Sequence, residues 1–239
     1  MKLEELKKLH QKKYREEFGY FLVEGEHLLL ELQKAALTNP QLRGCELYVT
    51  REREHLGGAF KTHVISESRM AQISDTKTPQ GIVALVPMLR PASPRADERA
   101  IYLYQIQDPG NLGTILRTLA WFGGFRCLLS SGSVDPYNSK AVRASMGAIF
   151  HVAVELDVEL LSLSGRFGRI ACLDMKGEVV SSPSFEACTC YLFGNEARGL
   201  PHDELGMVGA VPFTIAGHGS IDSLNLAAAV SMCAYELSR

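Results

Sequence analysis

Charge of either sign is not in surplus in this chain. Lys plus Arg number 25 against 27 Asp plus Glu, a net charge of −2, so no global field draws the molecule onto polyanions and any nucleic-acid contact has to be local. Nowhere do roughly 18 uncharged apolar residues run together, which excludes a transmembrane helix and a membrane partner of that kind. The opening "MKLEELKKLHQKKYREEFGY" mixes charges every few residues and lacks the apolar core of a signal peptide. Six cysteines (Cys45, Cys127, Cys172, Cys188, Cys190, Cys233) form no C-x-x-C pair and no Cys/His cluster at zinc spacing; they read as small reduced core residues, with no metal site. A soluble protein of a reducing cytoplasm is the expectation. Two nucleotide signatures are also missing. The first strand-to-helix junction of the second half reads D-P-G-N-L-G rather than G-x-G-x-x-G, and no G-x-x-x-x-G-K-[ST] loop occurs, so ordinary NAD and NTP sites are weakly supported.

What is present is apolar and regular. A 46% hydrophobic content over 239 residues fills one large core or two modest ones. "VPMLRPASPRADERA" holds three prolines and five charges without periodicity, and reads as a linker. It divides the chain into a first domain at 1–88, a linker at 89–100 and a second domain at 101–239. In the first domain a basic helical start leads to strands at "YFLVEG", "CELYVT", "THVIS" and "GIVALVP", with a helix over "EHLLLELQKAA". In the second, strands at "AIYLYQIQD", "FRCLLSS", "HVAVEL", "GRIACLDM", "CTCYLF" and "GAVPF" alternate with helices, including "NSKAVRASMGAIF" and a closing "SLNLAAAVSMCAYEL". That alternation predicts an α/β fold with a parallel sheet covered on both faces, and ligands at the carboxyl ends of its strands.

Three strand-to-helix corners carry unusual polar residues: Asn111 with Arg117, Gly194-Asn195-Glu196, and Ser223-Leu224-Asn225. In a parallel sheet all three lie on one edge. Arg117 is the sole charged residue between Pro109 and Phe125, and a guanidinium is costly to bury unpaired, so it needs a partner. Each corner also has a plain structural reading. Asn111 can be a helix cap, Arg117 an ion-pair partner of Glu196, Gly194-Asn195 a turn, and Ser223 the cap of the last helix.

"DPGNLGTILRTLAWFG", "LFGNEARGLP" and "VP…SLNLAAA…YEL", in that order, resemble the three motifs of the SpoU family of RNA ribose 2′-O-methyltransferases, of the SPOUT class. "KAVRASMGAIFHVAV" is similar to that family's middle segment. The first domain, through "KKYREEFGYFLVEG" and "DTKTPQGIVAL", resembles the small ribosomal-protein-like RNA-binding domain often fused ahead of it.

The resemblance implies a C-terminal parallel-sheet SPOUT domain tied into a deep trefoil knot, against the general avoidance of knots. It implies S-adenosylmethionine as cofactor and a homodimer that builds each active site from two subunits. By motif, the cofactor pocket falls at Phe193, Gly194, Val211, Pro212 and Leu224, and the catalytic group at Asn111, Arg117, Glu196, Ser223 and Asn225. Arg117 would clamp an RNA phosphate and the developing oxyanion, while Glu196 reads equally as a structural counter-ion. The partner implied is RNA, ribosomal ahead of transfer RNA. Lys7, Lys8, Lys12, Lys13 and Arg15 form a basic run, but Glu4, Glu5, Glu16 and Glu17 dilute it into a solvated face. Eleven positions separate Pro212 from Ser223, a longer loop than the family's usual one. The competing readings are a non-catalytic RNA-binding or ribosome-assembly protein that keeps the fold, and a small-molecule α/β enzyme.

Overall fold

The structure is a computed structural model that describes residues 1–218 and 223–239. Along the chain run α1 (Leu3–Lys8), α2 (Lys12–Phe18), β1 (Tyr20–Glu24), α3 (Glu26–Thr38), β2 (Glu46–Val49), β3 (Lys61–Val64), α4 (Glu67–Ile73) and β4 (Ile82–Pro87). They are followed by β5 (Arg99–Leu103), α5 (Pro109–Phe122), β6 (Phe125–Leu129), α6 (Ser139–Ala144), β7 (Val154–Glu155), β8 (Ile170–Val179), α7 (Pro183–Glu186), β9 (Cys190–Phe193), α8 (His202–Met207), β10 (Val211–Thr214) and α9 (Leu226–Leu237). No helix among the described residues is long and apolar enough to cross a membrane.

Two compact units emerge, and they are not contiguous in sequence. Residues 1–89 and 135–151 form the first, and residues 90–134 and 152–239 the second. The first unit has a four-stranded sheet in the order β1-β4-β2-β3, antiparallel except for the β2/β3 pair. Its β4 is apolar throughout and buried because it lies inside the sheet. Leu6, Leu9, Leu22, Tyr48, Met70, Ile73, Val83 and Leu85 form a core on one face. The segment 135–151 is tied in by a buried ion pair between Arg15 and Asp135 and by Tyr137, whose ring lies 4.8 Å from that of Phe21. The single helix expected over 138–150 is broken in two. Met146 at φ 51° and Gly147 at φ 93° leave helical space, and a 3-10 turn follows at Ala148–Phe150. Glycine is needed at 147 because a Cβ there would sit 2.6 Å from Glu31 Cβ.

The second unit is a six-stranded sheet, parallel at every pairing, in the order β10-β8-β9-β5-β6-β7. The α/β parallel sheet is therefore as expected, and it sets the carboxyl ends of β9 and β5 side by side. One face packs Ala100, Tyr102, Leu128, Leu160, Leu163, Cys190 and Leu192 into a core. Helix α5 buries Leu112, Ile115, Leu116 and Leu119 and packs beside α9, with Thr118 and Ser231 hydroxyls 2.9 Å apart. Against β10, β8 breaks register between Pro212 and Phe213, whose partners are Cys172 and Glu178, so residues 173–177 loop out. At Gly177 a Cβ would meet the Pro212 carbonyl oxygen at 2.4 Å. All six cysteines are buried and unpaired. Of the enlarged loop after Pro212, residues 219–222 lie outside the described residues.

Candidate active site

The site is built where β5, β6 and β9 end. After β5, Gln105 takes φ 48°, a left-handed conformation that costs a non-glycine residue about 1–3 kcal/mol unless its surroundings hold it. Four hydrogen bonds do so. Its amide donates to Ser130 Oγ (2.7 Å), its carbonyl accepts from Asn195 Nδ2 (2.7 Å) and Gln107 Nε2 (2.9 Å), and its Oε1 accepts from Arg198 Nη2 (3.1 Å). Gln105 thus joins the ends of three strands.

Helix α5 begins at Pro109, where a missing N–H costs nothing, and Asp108 is its cap. Asp108 Oδ1 accepts from the amides of Gly110 (2.5 Å) and Asn111 (3.0 Å). Asn111 is therefore not the cap, and its side chain is free for other bonds. Ser223 is not a cap either. Asn225 caps α9, accepting from Ala227 N (2.9 Å) and Ala228 N (3.3 Å).

At the end of β9, Phe193 is buried and Gly194 opens a tight loop in which Asn195 and Gly199 exchange backbone hydrogen bonds of 3.0 and 2.9 Å. A Cβ on Gly194 would lie 2.4 Å from Gly199 C, so only glycine lets the loop close. Asn195, itself 7% exposed, accepts from the amides of Ala197 and Arg198. That closure presents Glu196 to the start of α5. Its carboxylate accepts from Gln107 N, Asp108 N and Asn111 Nδ2, each at 3.3 Å. Negative charge at the positive end of a helix is favourable.

The three corners meet through Asn111. Its Nδ2 donates to Glu196 and its Oδ1 accepts from Asn225 Nδ2 at 3.0 Å, which fixes the amide in one orientation. Arg117 is not part of this chain of bonds. It is exposed on α5, and it makes no hydrogen bond or ion pair with any described residue, Glu196 included. Ser223 is exposed and makes no side-chain hydrogen bond among the described residues. Val211 (46% exposed) and Pro212 open β10, and Leu224 is 42% exposed one residue before Asn225. Sequence reasoning missed Gln105, Gln107, Asp108 and Arg198, and read Asn195 only as part of a polar turn. The Asp-Pro pair at 108–109 is a recognisable cap signal, whereas nothing local marks Gln105.

Residues 98–235 match the model of the SpoU rRNA Methylase family, and residues 1–84 that of the MRM3-like substrate binding domain. The chain is 32% identical to the 23S rRNA (guanosine(2553)-2′-O)-methyltransferase RlmP of Bacillus subtilis, an alignment covering 99% of this chain and 95% of that protein. It superposes on the structure of an RNA methyltransferase of the TrmH family from Porphyromonas gingivalis with TM-score 0.84 and 28% identity, over 98% of this chain and 96% of the other. For an AdoMet-bound rRNA methyltransferase from Sinorhizobium meliloti the TM-score is 0.82 at 25% identity, over 98% and 93% of the two chains.

Proposed function

The chain belongs to the SpoU rRNA methylase family, and from that premise we propose that it transfers a methyl group from S-adenosylmethionine to a ribose 2′-hydroxyl of structured RNA, ribosomal RNA ahead of transfer RNA. The observation that carries this reading is the bonded run Asn225–Asn111–Glu196, which brings three separate corners together at the strand ends, on the helix that also carries Arg117, an arginine without a partner among the described residues. Ribosomal RNA is favoured by the name of the Bacillus subtilis relative and by the substrate-binding match at residues 1–84.

The residues suit the cofactor. S-adenosylmethionine carries an adenine and a ribose but no phosphate, so it calls for main-chain groups flanked by apolar surface rather than a glycine-rich anion loop. Gly194, bare of a side chain, and the exposed Val211, Pro212 and Leu224 offer that, with buried Phe193 behind Gly194. When bound, the cofactor supplies an electrophilic methyl on a good leaving group. The chain's task is then the weakly acidic ribose hydroxyl, which has to be aligned and relieved of its proton. Asn111, held at both ends, with Asn225, Ser223 and Glu196, orients the sugar. The Arg117 guanidinium clamps a phosphate and the developing oxyanion, with an RNA phosphate oxygen taking the hydroxyl proton.

We assign the partner for the site to a second copy of the chain. Trp121 (84% exposed), Met232 (46%) and Tyr235 (57%) leave an apolar face on α5 and α9, with the Phe122 and Tyr235 rings 6.1 Å apart, on the helix that carries Arg117. A homodimer through this face would supply Arg117 with the polar partners it does not have among the described residues. The register break of β8 on β10 and the close approach at Gly177 are in keeping with a trefoil knot in the second unit. The first unit's mixed sheet under helices is in keeping with a ribosomal-protein-like domain, and six unpaired cysteines with the cytoplasm. Incubation with labelled S-adenosylmethionine and either ribosomal or transfer RNA tests the reading. Ribose-linked label in ribosomal RNA is expected; label in neither RNA would refute it.

A further inference from the structure

We propose that the first unit carries an RNA-phosphate docking rim assembled from two distant parts of the sequence: Lys77 on the loop after α4, and Lys140 and Arg143 on α6. This rests on the reading that RNA is the substrate. The loop is rigidly held. The Glu24 carboxylate accepts from Ser74 Oγ (2.5 Å), Asp75 N (3.2 Å) and Thr76 Oγ1 (2.7 Å), so three consecutive residues are pinned to one side chain, and Lys77 follows them, exposed. Asp75 joins the loop to α6. Its Oδ2 accepts from the Ser139 hydroxyl and lies 3.6 Å from Arg143 Nη1.

Arg143 therefore shares the Asp75 carboxylate with a hydroxyl, while Lys77 lies two residues beyond Asp75 and Lys140 follows Ser139. Lys77 and the exposed Lys140 make no hydrogen bond or ion pair among the described residues, and the Arg143 guanidinium makes no hydrogen bond there, its Nη1 included. On the other lysine-rich surface of this unit, three of the four lysines are engaged. Lys12 pairs with Glu16 at 3.5 Å, and Lys8 and Lys13 lie over the Tyr14 ring at 5.4 and 5.7 Å. A pre-ordered, under-neutralised cluster on a molecule of net charge −2 fits a local polyanion contact, and phosphates are what such side chains bind without reading sequence.

The test is binding of ribosomal RNA to the full chain across a salt series, comparing wild type, K77A/K140A and K7A/K8A/K12A/K13A. The rim variant is expected to bind on the order of tenfold more weakly near ~100 mM salt. Its log–log salt slope should shrink by about 1.4–1.8, two phosphate contacts' worth. Its turnover at saturating RNA should be unchanged, and adding Arg143→Ala should lower affinity further. Wild-type affinity and slope in K77A/K140A, or loss confined to the four-lysine variant, overturns the rim. Wild-type chain that binds through the rim yet methylates no RNA sinks the proposed function and leaves the rim standing. Normal methylation with normal binding by K77A/K140A does the reverse.

Discussion

Replacing Asp135 by alanine should cost the first unit more than any other single carboxylate loss, and the size of the effect follows from what Arg15 would be left with. Arg15 is 4% exposed and Asp135 9%. The guanidinium donates Nε to Asp135 Oδ2 at 2.9 Å, Nη2 to the same oxygen, and Nη1 to the Leu9 carbonyl at 2.7 Å. The other carboxylate oxygen accepts from Tyr137 N at 2.8 Å and so shapes the turn into α6. In Asp135→Ala a charge stays inside with one carbonyl for company. Breaking a buried pair from one side costs about 3–5 kcal/mol. For a unit of about a hundred residues each kcal/mol is worth ~4–8 °C, so its melting transition should fall by at least ~12 °C.

Calorimetry reads the transition, and amide hydrogen exchange on peptides from residues 135–151 reads whether that segment opens first. The charge explanation makes a second demand. Arg15→Met with Asp135→Leu removes both ions and should recover most of the loss, because no uncompensated charge remains. A single variant melting within ~5 °C of wild type, or a double variant no better than the single, would refute the reasoning.

Arg117→Ala should leave melting temperature and S-adenosylmethionine affinity unchanged, since the side chain has no partner among the described residues, while methyl transfer falls at least ~100-fold; near-normal turnover would remove Arg117 from the site. Gly194→Ala forces a Cβ to within 2.4 Å of Gly199 C and 2.7 Å of Leu200 N, so the loop has to open, lowering both stability and cofactor affinity by calorimetry. Unchanged affinity there would move the pocket elsewhere. Lys61 and then His63 hold the Glu46 carboxyl down at about 2, below its ordinary 4.5. Because the folded value is the lower one, this stabilisation is complete above that ordinary value and is lost as pH falls toward about 2. Glu46→Gln should therefore flatten the acid limb of the stability curve, and curves that stay parallel through that window would exclude the effect.

Some of this was legible in the sequence and some was not, for identifiable reasons. Apolar runs mark β5 and β9, and the rule that parallel strands end on one edge brings Asn111 and Glu196 together, as their 3.3 Å contact bears out. Sheet order alone would not bring Asn225 there, because it follows β10 at the far margin of the sheet; it arrives because α9 packs beside α5 in the same direction, with Asn111 against Asn225, Thr118 against Ser231 and Phe122 against Tyr235. The caps are legible from local chemistry: an aspartate before proline is a stronger cap signal than the asparagine at 111, and at the last helix Asn225 outcompetes Ser223. The grouping of 135–151 with the first 89 residues is made by contacts such as the ion pair between positions 15 and 135 and the Tyr137–Phe21 ring pair, separations no periodicity reports.

Arg117 teaches the most. Its uncharged neighbourhood suggested burial, since apolar residues on a helix normally face a core. On α5 the apolar residues occupy more than the core face, and Trp121, one turn beyond Arg117, is 84% exposed. Absence of charge along a helix thus measures how much of it is meant to be covered, not whether its own chain does the covering. In the homodimer proposed above, a second copy over Trp121 and Tyr235 would cover the aromatics, and the exposed arginine at the rim of that interface would have neighbours on one side and RNA phosphate on the other.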